Sequence, residues 1–178
     1  MNPKRRTIIL GCVFIFFLAF AYIENTYFLS YAKDIFLNPL LAVAMVFLHN
    51  VIVVSLVIIG MSFYVEFVLT FLPKRDMEYA VLHHPRLFAI IFTAIILTVS
   101  ILRASTFLHG QIVIDLIAII MLVSLPHGIV EAYGIYKSIH TTLTNNLTNK
   151  ALATIYLIFL LAAILEVGFV QALHHYIA

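Results

Sequence analysis

Acidic and imidazole side chains stand within long apolar stretches of this sequence. They are Glu66, Asp115, Glu131, Glu166, His49 and His127, with Glu24 near the end of the first stretch. A charged side chain at the centre of a bilayer costs at least ~2.5–3.5 kcal/mol, so it is rarely without a role. No lysine or arginine stands deep enough in these stretches to pair with the carboxylates. The carboxyl groups must therefore be protonated, bind a cation, hydrogen-bond one another or face water.

The most informative stretch is the heptapeptide LPHGIVE at residues 125–131. Proline suits the first position of a helix, so this stretch predicts a broken helix that restarts at Pro126. His127 and Glu131 are four residues apart and would then share one face. Gly128 and Ala132 have the spacing of small residues that lets a neighbouring helix approach closely. Broken helices of this kind build the central sites of transporters.

Three interpretations of these residues stay open. In the first, they form a hydrogen-bonded network that fixes the register of the helices. In the second, they bind a proton or a cation, and Zn²⁺ is a candidate because imidazole and carboxylate groups are ordinary zinc ligands. The zinc ligands would be His49, His127, Glu131 and Glu166. In the third, His49 and His127 ligate haem, although the sequence has no Cys-x-x-Cys-His motif.

The composition places the whole chain in lipid. Of its 178 residues, 64% are apolar or aromatic and 10% are charged, and the mean hydropathy is +1.13. A soluble domain has roughly 45–50% apolar and about 25% charged residues. We therefore expect a single all-α transmembrane domain over residues 1–178, a polytopic helical bundle within the lipid bilayer. The net charge is only +2 and no basic patch is present, which excludes nucleic acid as a partner.

Hydropathy predicts five spans, since crossing the hydrocarbon takes about 20 helical residues. The predicted spans are about 7–23, 40–72, 87–102, 111–136 and 151–173. The second is longer than one untilted helix needs, and Pro126 interrupts the fourth. One or two spans are therefore expected to be broken or re-entrant.

Basic residues predict the orientation of the bundle. With a cytoplasmic N-terminus, the inside segments hold Lys4, Arg5, Arg6, Lys74, Arg75, Arg86, Lys137 and Lys150, and the outside segments hold Lys33 and Arg103. This asymmetry is the one that the positive-inside rule describes. We expect a multi-pass protein of the cell membrane whose first span is a signal anchor.

The sequence resembles the stage II sporulation protein M family. The resemblance is carried by Pro126-His127-Gly128-x-x-Glu131, and weaker support comes from Asn50 after a Phe-rich start, Gly60, and Glu166 in Leu165-Glu166-x-Gly168-Phe169. It covers roughly residues 40–172. It implies that His127, Gly128 and Glu131 are motif residues, joined by Asn50 and Glu166. The namesake supports engulfment in spore-forming bacteria by assembling with cell-wall-degrading partners, and relatives occur in bacteria and archaea that never sporulate.

No catalytic motif is evident, and we expect a non-enzymatic scaffold or transport-associated component with an intramembrane polar site. The alternative is a zinc-dependent membrane enzyme or a cation or proton carrier that uses the same site. Exposed small residues predict a homodimer. The family resemblance adds membrane or cell-envelope proteins as partners.

Overall fold

A computed structural model describes residues 2–72, 76–109 and 114–177, and the described residues form six helices. The helices are α1 (Pro3–Ile35), α2 (Pro39–Phe71), α3 (Asp76–His83), α4 (Pro85–His109), α5 (Ile114–Leu143) and α6 (Asn149–Ile177). This architecture confirms the predicted all-α bundle. Helices are the natural solution in lipid, because each one satisfies its backbone hydrogen bonds within itself.

Local residues define where α2 and α6 begin. The Oδ1 atom of Asn38 accepts hydrogen bonds from the backbone N–H groups of Leu40 and Leu41, and Pro39 occupies the first helical position. Thr148 Oγ1 accepts a hydrogen bond from the N–H of Ala151 in the same way. These caps replace hydrogen bonds that the first turn of a helix cannot make internally. They produce two sharp turns, one on each side of the bundle.

The helix α2 is the centre of the bundle, since it packs against α1, α5 and α6, while α4 packs mainly along α5. A core cluster joins α2, α4, α5 and α6 through Val54, Ile58, Ala89, Ile135, Ile139, Leu143, Ile155 and Phe159. A second cluster holds the turn between α1 and α2 against α6, through Ile35, Ala42, Val46, Ala163 and Val167. Each helix that borders α2 is thus held to it by buried apolar side chains.

The contact between α1 and α2 depends on two glycines that face phenylalanines of the other helix. Gly11 of α1 lies against the ring of Phe63, and Gly60 of α2 lies against the ring of Phe14. The two rings stack on each other with centroids 6.0 Å apart. Because glycine has no side chain, each ring fits against the opposite backbone and the two helices approach closely.

Five of the described helices are long and apolar enough to cross a membrane. The candidate spans are Pro3–Phe28, Pro39–Phe71, Pro85–Leu102, Ile117–Leu143 and Asn149–Leu173. Many large apolar side chains on their outer surfaces are exposed, for example Phe16 at 67% and Leu122 at 73%. An apolar exterior of this kind is stable only in lipid. The prediction of five spans in a multi-pass membrane protein is confirmed.

The predicted breaks in the second and fourth spans are wrong for the described residues. The helix α2 is a single helix of 33 residues, and α5 continues through Pro126 without interruption. Proline removes one backbone N–H donor, but unwinding α5 would leave several more backbone groups without partners in lipid. The length of α2, about 50 Å against a hydrocarbon thickness of ~30 Å, is accommodated by tilt or by extension beyond the hydrocarbon.

The close approach expected at Gly128 and Ala132 occurs elsewhere on α5. Gly128 has no neighbouring atom within 4 Å of the position that a Cβ would take. At Gly134, a Cβ would lie 2.8 Å from Cε2 of Phe159 and 3.2 Å from Cγ2 of Ile158 on α6. Ser138, one turn further, is fully buried and donates its hydroxyl to the backbone oxygen of Gly134. The small residue that lets α5 approach α6 closely is therefore Gly134.

The substitution Gly134→Val should destabilise the bundle by about 1–3 kcal/mol, because the added methyl groups overlap the ring of Phe159. Unfolding by sodium dodecyl sulfate in mixed micelles measures this loss. The matched control is Gly168→Val, since Gly168 on α6 has open space around it. Equal losses in the two variants would contradict close α5–α6 packing at Gly134.

Candidate intramembrane polar site

Two consecutive polar residues of α2, His49 and Asn50, direct polar contacts to different neighbouring helices. Successive residues of an α-helix point about 100° apart, so the two side chains leave α2 on different faces. His49 contacts Glu24 of α1, and Asn50 contacts Glu131 of α5. The central helix of the bundle thus carries polar contacts to both sides at one depth.

On the α5 side, Asn50 donates a hydrogen bond from Nδ2 to Oε1 of Glu131 over 3.2 Å. Glu166 of α6 interacts electrostatically with Glu131, and both glutamates are mostly buried. Three separate helices therefore carry an amide and two carboxyl groups into the same part of the bundle. The structure joins Asn50 to Glu131, and a common site that also includes Glu166 stays a prediction.

His127 lies one turn from Glu131 on the same helix and is only 9% exposed. Its Nδ1 atom is buried and has no hydrogen-bond partner within the described residues. A buried polar atom without a partner is costly, and in native structures it needs an explanation. His127 therefore brings an unused donor or acceptor to within one helical turn of the carboxyl groups.

On the α1 side, Nδ1 of His49 lies 2.9 Å from Oε2 of Glu24, and the two side chains are 21% and 13% exposed. The imidazole also stacks on the ring of Phe28, with centroids 4.8 Å apart and planes 12° apart. A carboxylate can only accept a hydrogen bond, so an ionised Glu24 holds the ring with its proton on Nδ1. The second oxygen of Glu24, Oε1, is buried without a partner among the described residues.

The role of Glu24 in the site was not expected from the sequence, although a signal for it exists. The turn between α1 and α2 is centred near Leu37, and the two helices run antiparallel. Residues at equal distances on the two sides of this turn must then lie side by side. Glu24 is 13 positions before Leu37 and Asn50 is 13 positions after it. Simple hairpin symmetry would have placed Glu24 opposite His49 and Asn50.

The four residues expected to ligate zinc do not converge. Of that set, His49 pairs with Glu24, on a different face of α2 from the one that Asn50 turns toward Glu131. The described part of the chain contains no group of three or more His, Cys, Asp or Glu side chains arranged to hold a metal ion. The side chain of Asp115 lies outside the described residues. Gly128, the other motif residue, offers open space rather than a ligand.

We call the set Glu24, His49, Asn50, His127, Glu131 and Glu166 the polar layer. Its chemistry on the α5 side is that of two carboxyl groups in apolar surroundings, and neither forms an ion pair with a lysine or arginine among the described residues. Two carboxylates that have lost their water are not both ionised at low cost. Apolar surroundings without a basic partner therefore allow at least one of the two carboxyl groups to hold a proton.

A double-mutant cycle on Asn50→Ala and Glu131→Ala should give a coupling energy of about 0.6 kcal/mol, and at most ~1.7 kcal/mol, which is the range for hydrogen bonds between membrane helices. Unfolding by sodium dodecyl sulfate in mixed micelles supplies the four stabilities. The control cycle pairs Glu131→Ala with Ser55→Ala, because Ser55 hydrogen-bonds Tyr156 instead. A coupling of the same size in the control cycle would rule out a specific contact.

Comparison with known proteins leaves the polar layer to be interpreted from its own chemistry. The chain matches no family model, no curated protein and no solved structure. The resemblance to the stage II sporulation protein M family consequently rests on the sequence motif alone. The function has to be argued from the contacts made by Asn50, His127, Glu131 and Glu166.

Proposed function

We propose that this multi-pass membrane protein is a non-enzymatic, transport-associated component whose polar layer carries an exchangeable proton. The observation that carries the proposal is the presence of two mostly buried carboxyl groups, Glu131 and Glu166, on neighbouring helices, with Asn50 as hydrogen-bond donor to Glu131 and no ion pair to a lysine or arginine among the described residues. Placing two carboxyl groups at this depth costs free energy, and ionisable groups inside membrane helices usually have a function. Carboxyl and imidazole groups inside membrane helices are typical of proton relays.

The hydrogen bonds of the polar layer are incomplete, which favours an exchangeable proton over a fixed one. A structural network would satisfy each of its polar atoms, whereas Nδ1 of His127 and Oε1 of Glu24 have no partner among the described residues. Partly satisfied polar networks are high in energy, and adding or moving a proton changes which atoms donate and which accept. His127, one turn from Glu131 on α5, is a group that can receive this proton.

A zinc-dependent enzyme is the weaker candidate on geometric grounds. The proposed ligands are divided between two faces of α2, and one of them, His49, is engaged by Glu24. A catalytic zinc site needs three protein ligands that converge on one point. The described residues contain no such set.

Membership of the stage II sporulation protein M family is part of the proposal, and so is a place in the cell membrane with a cytoplasmic N-terminus. The motif residues His127, Gly128 and Glu131 lie together on α5, and His127 and Glu131 belong to the polar layer. In this role the bundle would assemble with membrane or cell-envelope proteins. A purely structural scaffold would need the same bundle but no exchangeable proton.

Infrared difference spectroscopy tests for the proton. At neutral pH, the purified protein should show the C=O stretch of a protonated carboxylic acid, and this band should be lost or shifted in Glu131→Gln and Glu166→Gln. In liposomes with a trapped pH dye, the same variants should reduce proton flux to that of empty vesicles. Asp34→Asn, an exposed carboxyl at the end of α1, is the control and should change neither signal. A protein without the acid band and without flux above the vesicle background is a scaffold, and the proposal then fails.

A homodimer through α5 completes the proposal. Gly128 has open space around it, and Leu125, Ile129 and Tyr133 on the surrounding face are more than half exposed. Together with Ala132, Gly128 has the spacing that lets two membrane helices approach. A second copy of the chain is the natural occupant, because two identical faces of this kind complement each other around a twofold axis.

Light scattering coupled to size-exclusion chromatography in a mild detergent should give the mass of two chains, about 40 kDa from the 20.1 kDa of one chain. Gly128→Leu should give one chain, because the side chain blocks the approach of α5 to its copy. Gly168→Leu, at the open glycine of α6, should stay dimeric. A single-chain mass for the unmodified protein removes the dimer.

A further inference from the structure

A cavity of about 320 Å³ lies between α1, α2 and the turn that joins α5 to α6. It is at the end of the bundle where α1 begins and α2 approaches its last turn. Lys4, Arg5 and Arg6 are in the first turn of α1, so this end is rich in positive charge. The cavity is separate from the polar layer, and its occupant does not depend on the function proposed above.

The polar part of the cavity combines one cation, one anion and three neutral groups. Nη2 of Arg6 and Oε1 of Glu66 are 2.7 Å apart, so the expectation that no basic residue pairs with the carboxylates is wrong for Glu66. Ser62, Thr142 and Asn145 complete the polar lining. The side chains of Ser62 and Asn145 make no hydrogen bond within the described part of the chain. The guanidinium has five N–H donors, so the contact with Glu66 leaves most of them free.

The apolar part of the cavity leads away from this end along α1. Ile9, Leu10 and Val13 of α1 and Val65 of α2 form the wall. Val13 is seven residues beyond Arg6, which corresponds to about 10 Å along the helix axis. A molecule in the cavity would therefore have its polar group beside Arg6 and an apolar chain directed into the hydrocarbon.

We propose that this cavity binds one phospholipid whose headgroup carries both a phosphate and a primary ammonium group, a phosphoethanolamine lipid. The phosphate accepts hydrogen bonds from the free N–H groups of Arg6, which is the side chain best suited to phosphate. The ammonium group donates to the remaining oxygen of Glu66. Ser62, Thr142 and Asn145 supply further oxygen acceptors within the same cavity.

Charge complementarity selects this headgroup over the two other common kinds. Arg6 and Glu66 together are neutral, which matches a zwitterion, whereas an anionic glycerol headgroup would add a net negative charge beside the Glu66 carboxylate. A choline headgroup has no N–H donor, and proteins recognise it with aromatic rings. The described residues that line this cavity include no aromatic side chain. The ammonium hydrogens are therefore the feature that the site recognises.

Native mass spectrometry of the full chain, released from mixed micelles, tests the proposal. The probes are phosphatidylethanolamine, its N-methyl and N,N-dimethyl forms, phosphatidylcholine and phosphatidylglycerol with identical acyl chains. We expect one tightly retained phosphatidylethanolamine, with retention that falls at each methylation and is roughly tenfold lower for phosphatidylcholine, the factor of one charge-assisted hydrogen bond. Equal retention of all five lipids, or a preference for phosphatidylglycerol, overturns the proposal.

Variants locate the site and separate it from general attraction to a basic surface. Arg6→Gln should lower retention of every phospholipid by roughly tenfold, and Glu66→Gln should remove the preference for ethanolamine over choline while phosphate binding persists. Arg5→Gln is the control, because Arg5 is in the same turn of α1 but does not line the cavity. An effect of Arg5→Gln as large as that of Arg6→Gln would show that only the charge of the helix terminus matters. The comparison of lipids uses only the unmodified protein, so it remains a valid test even if a variant fails to fold.

Discussion

Lipid offers no hydrogen bonds, and this constraint determines how the helices of the chain are joined. A polar side chain placed in a span has to find its partner within the protein, either on the backbone of its own helix, as Ser138 does, or on another helix. The helix α2 supplies most of the partners that lie on another helix: His49 to Glu24, Asn50 to Glu131, and Ser55 to Tyr156. Apolar side chains pack between the helices, but their contacts with lipid tails are about equally favourable. The polar contacts of α2 are what distinguish one arrangement of neighbours from another.

The same constraint makes polar atoms without partners a notable feature of the polar layer. Among the described residues, three buried side-chain atoms have no hydrogen-bond partner, and two of them, on Glu24 and His127, belong to this layer. A network that is complete gains nothing from a proton. A network with unused atoms beside two interacting carboxyl groups changes its hydrogen bonds when a proton arrives. In the function proposed above, the polar layer would combine a role in helix recognition with the binding of a proton.

Sequence alone predicted the helical class and the number of spans, and it singled out Asn50, His127, Glu131 and Glu166 by their residue types. These features follow from hydropathy and from the cost of charge in lipid, which act residue by residue. It did not predict that α5 continues through Pro126, because local propensity takes no account of the backbone groups that a break would expose. Sequence analysis also did not predict the pairing of His49 with Glu24 or the close packing at Gly134, because both depend on which helices are neighbours. Residue types are readable from the chain, whereas partners require the three-dimensional arrangement.

The short turn between Ile35 and Pro39 has a consequence for the order in which the protein is made. The contacts of Gly11 with Phe63, Phe14 with Gly60, and Glu24 with His49 all join residues within the first 72 positions. A ribosome has therefore delivered both halves of each contact before it reaches α5. The two helices can enter the bilayer as one finished unit. Asn50 is then exposed on the surface of that unit. It can bind Glu131 of α5, which is translated some 80 residues later.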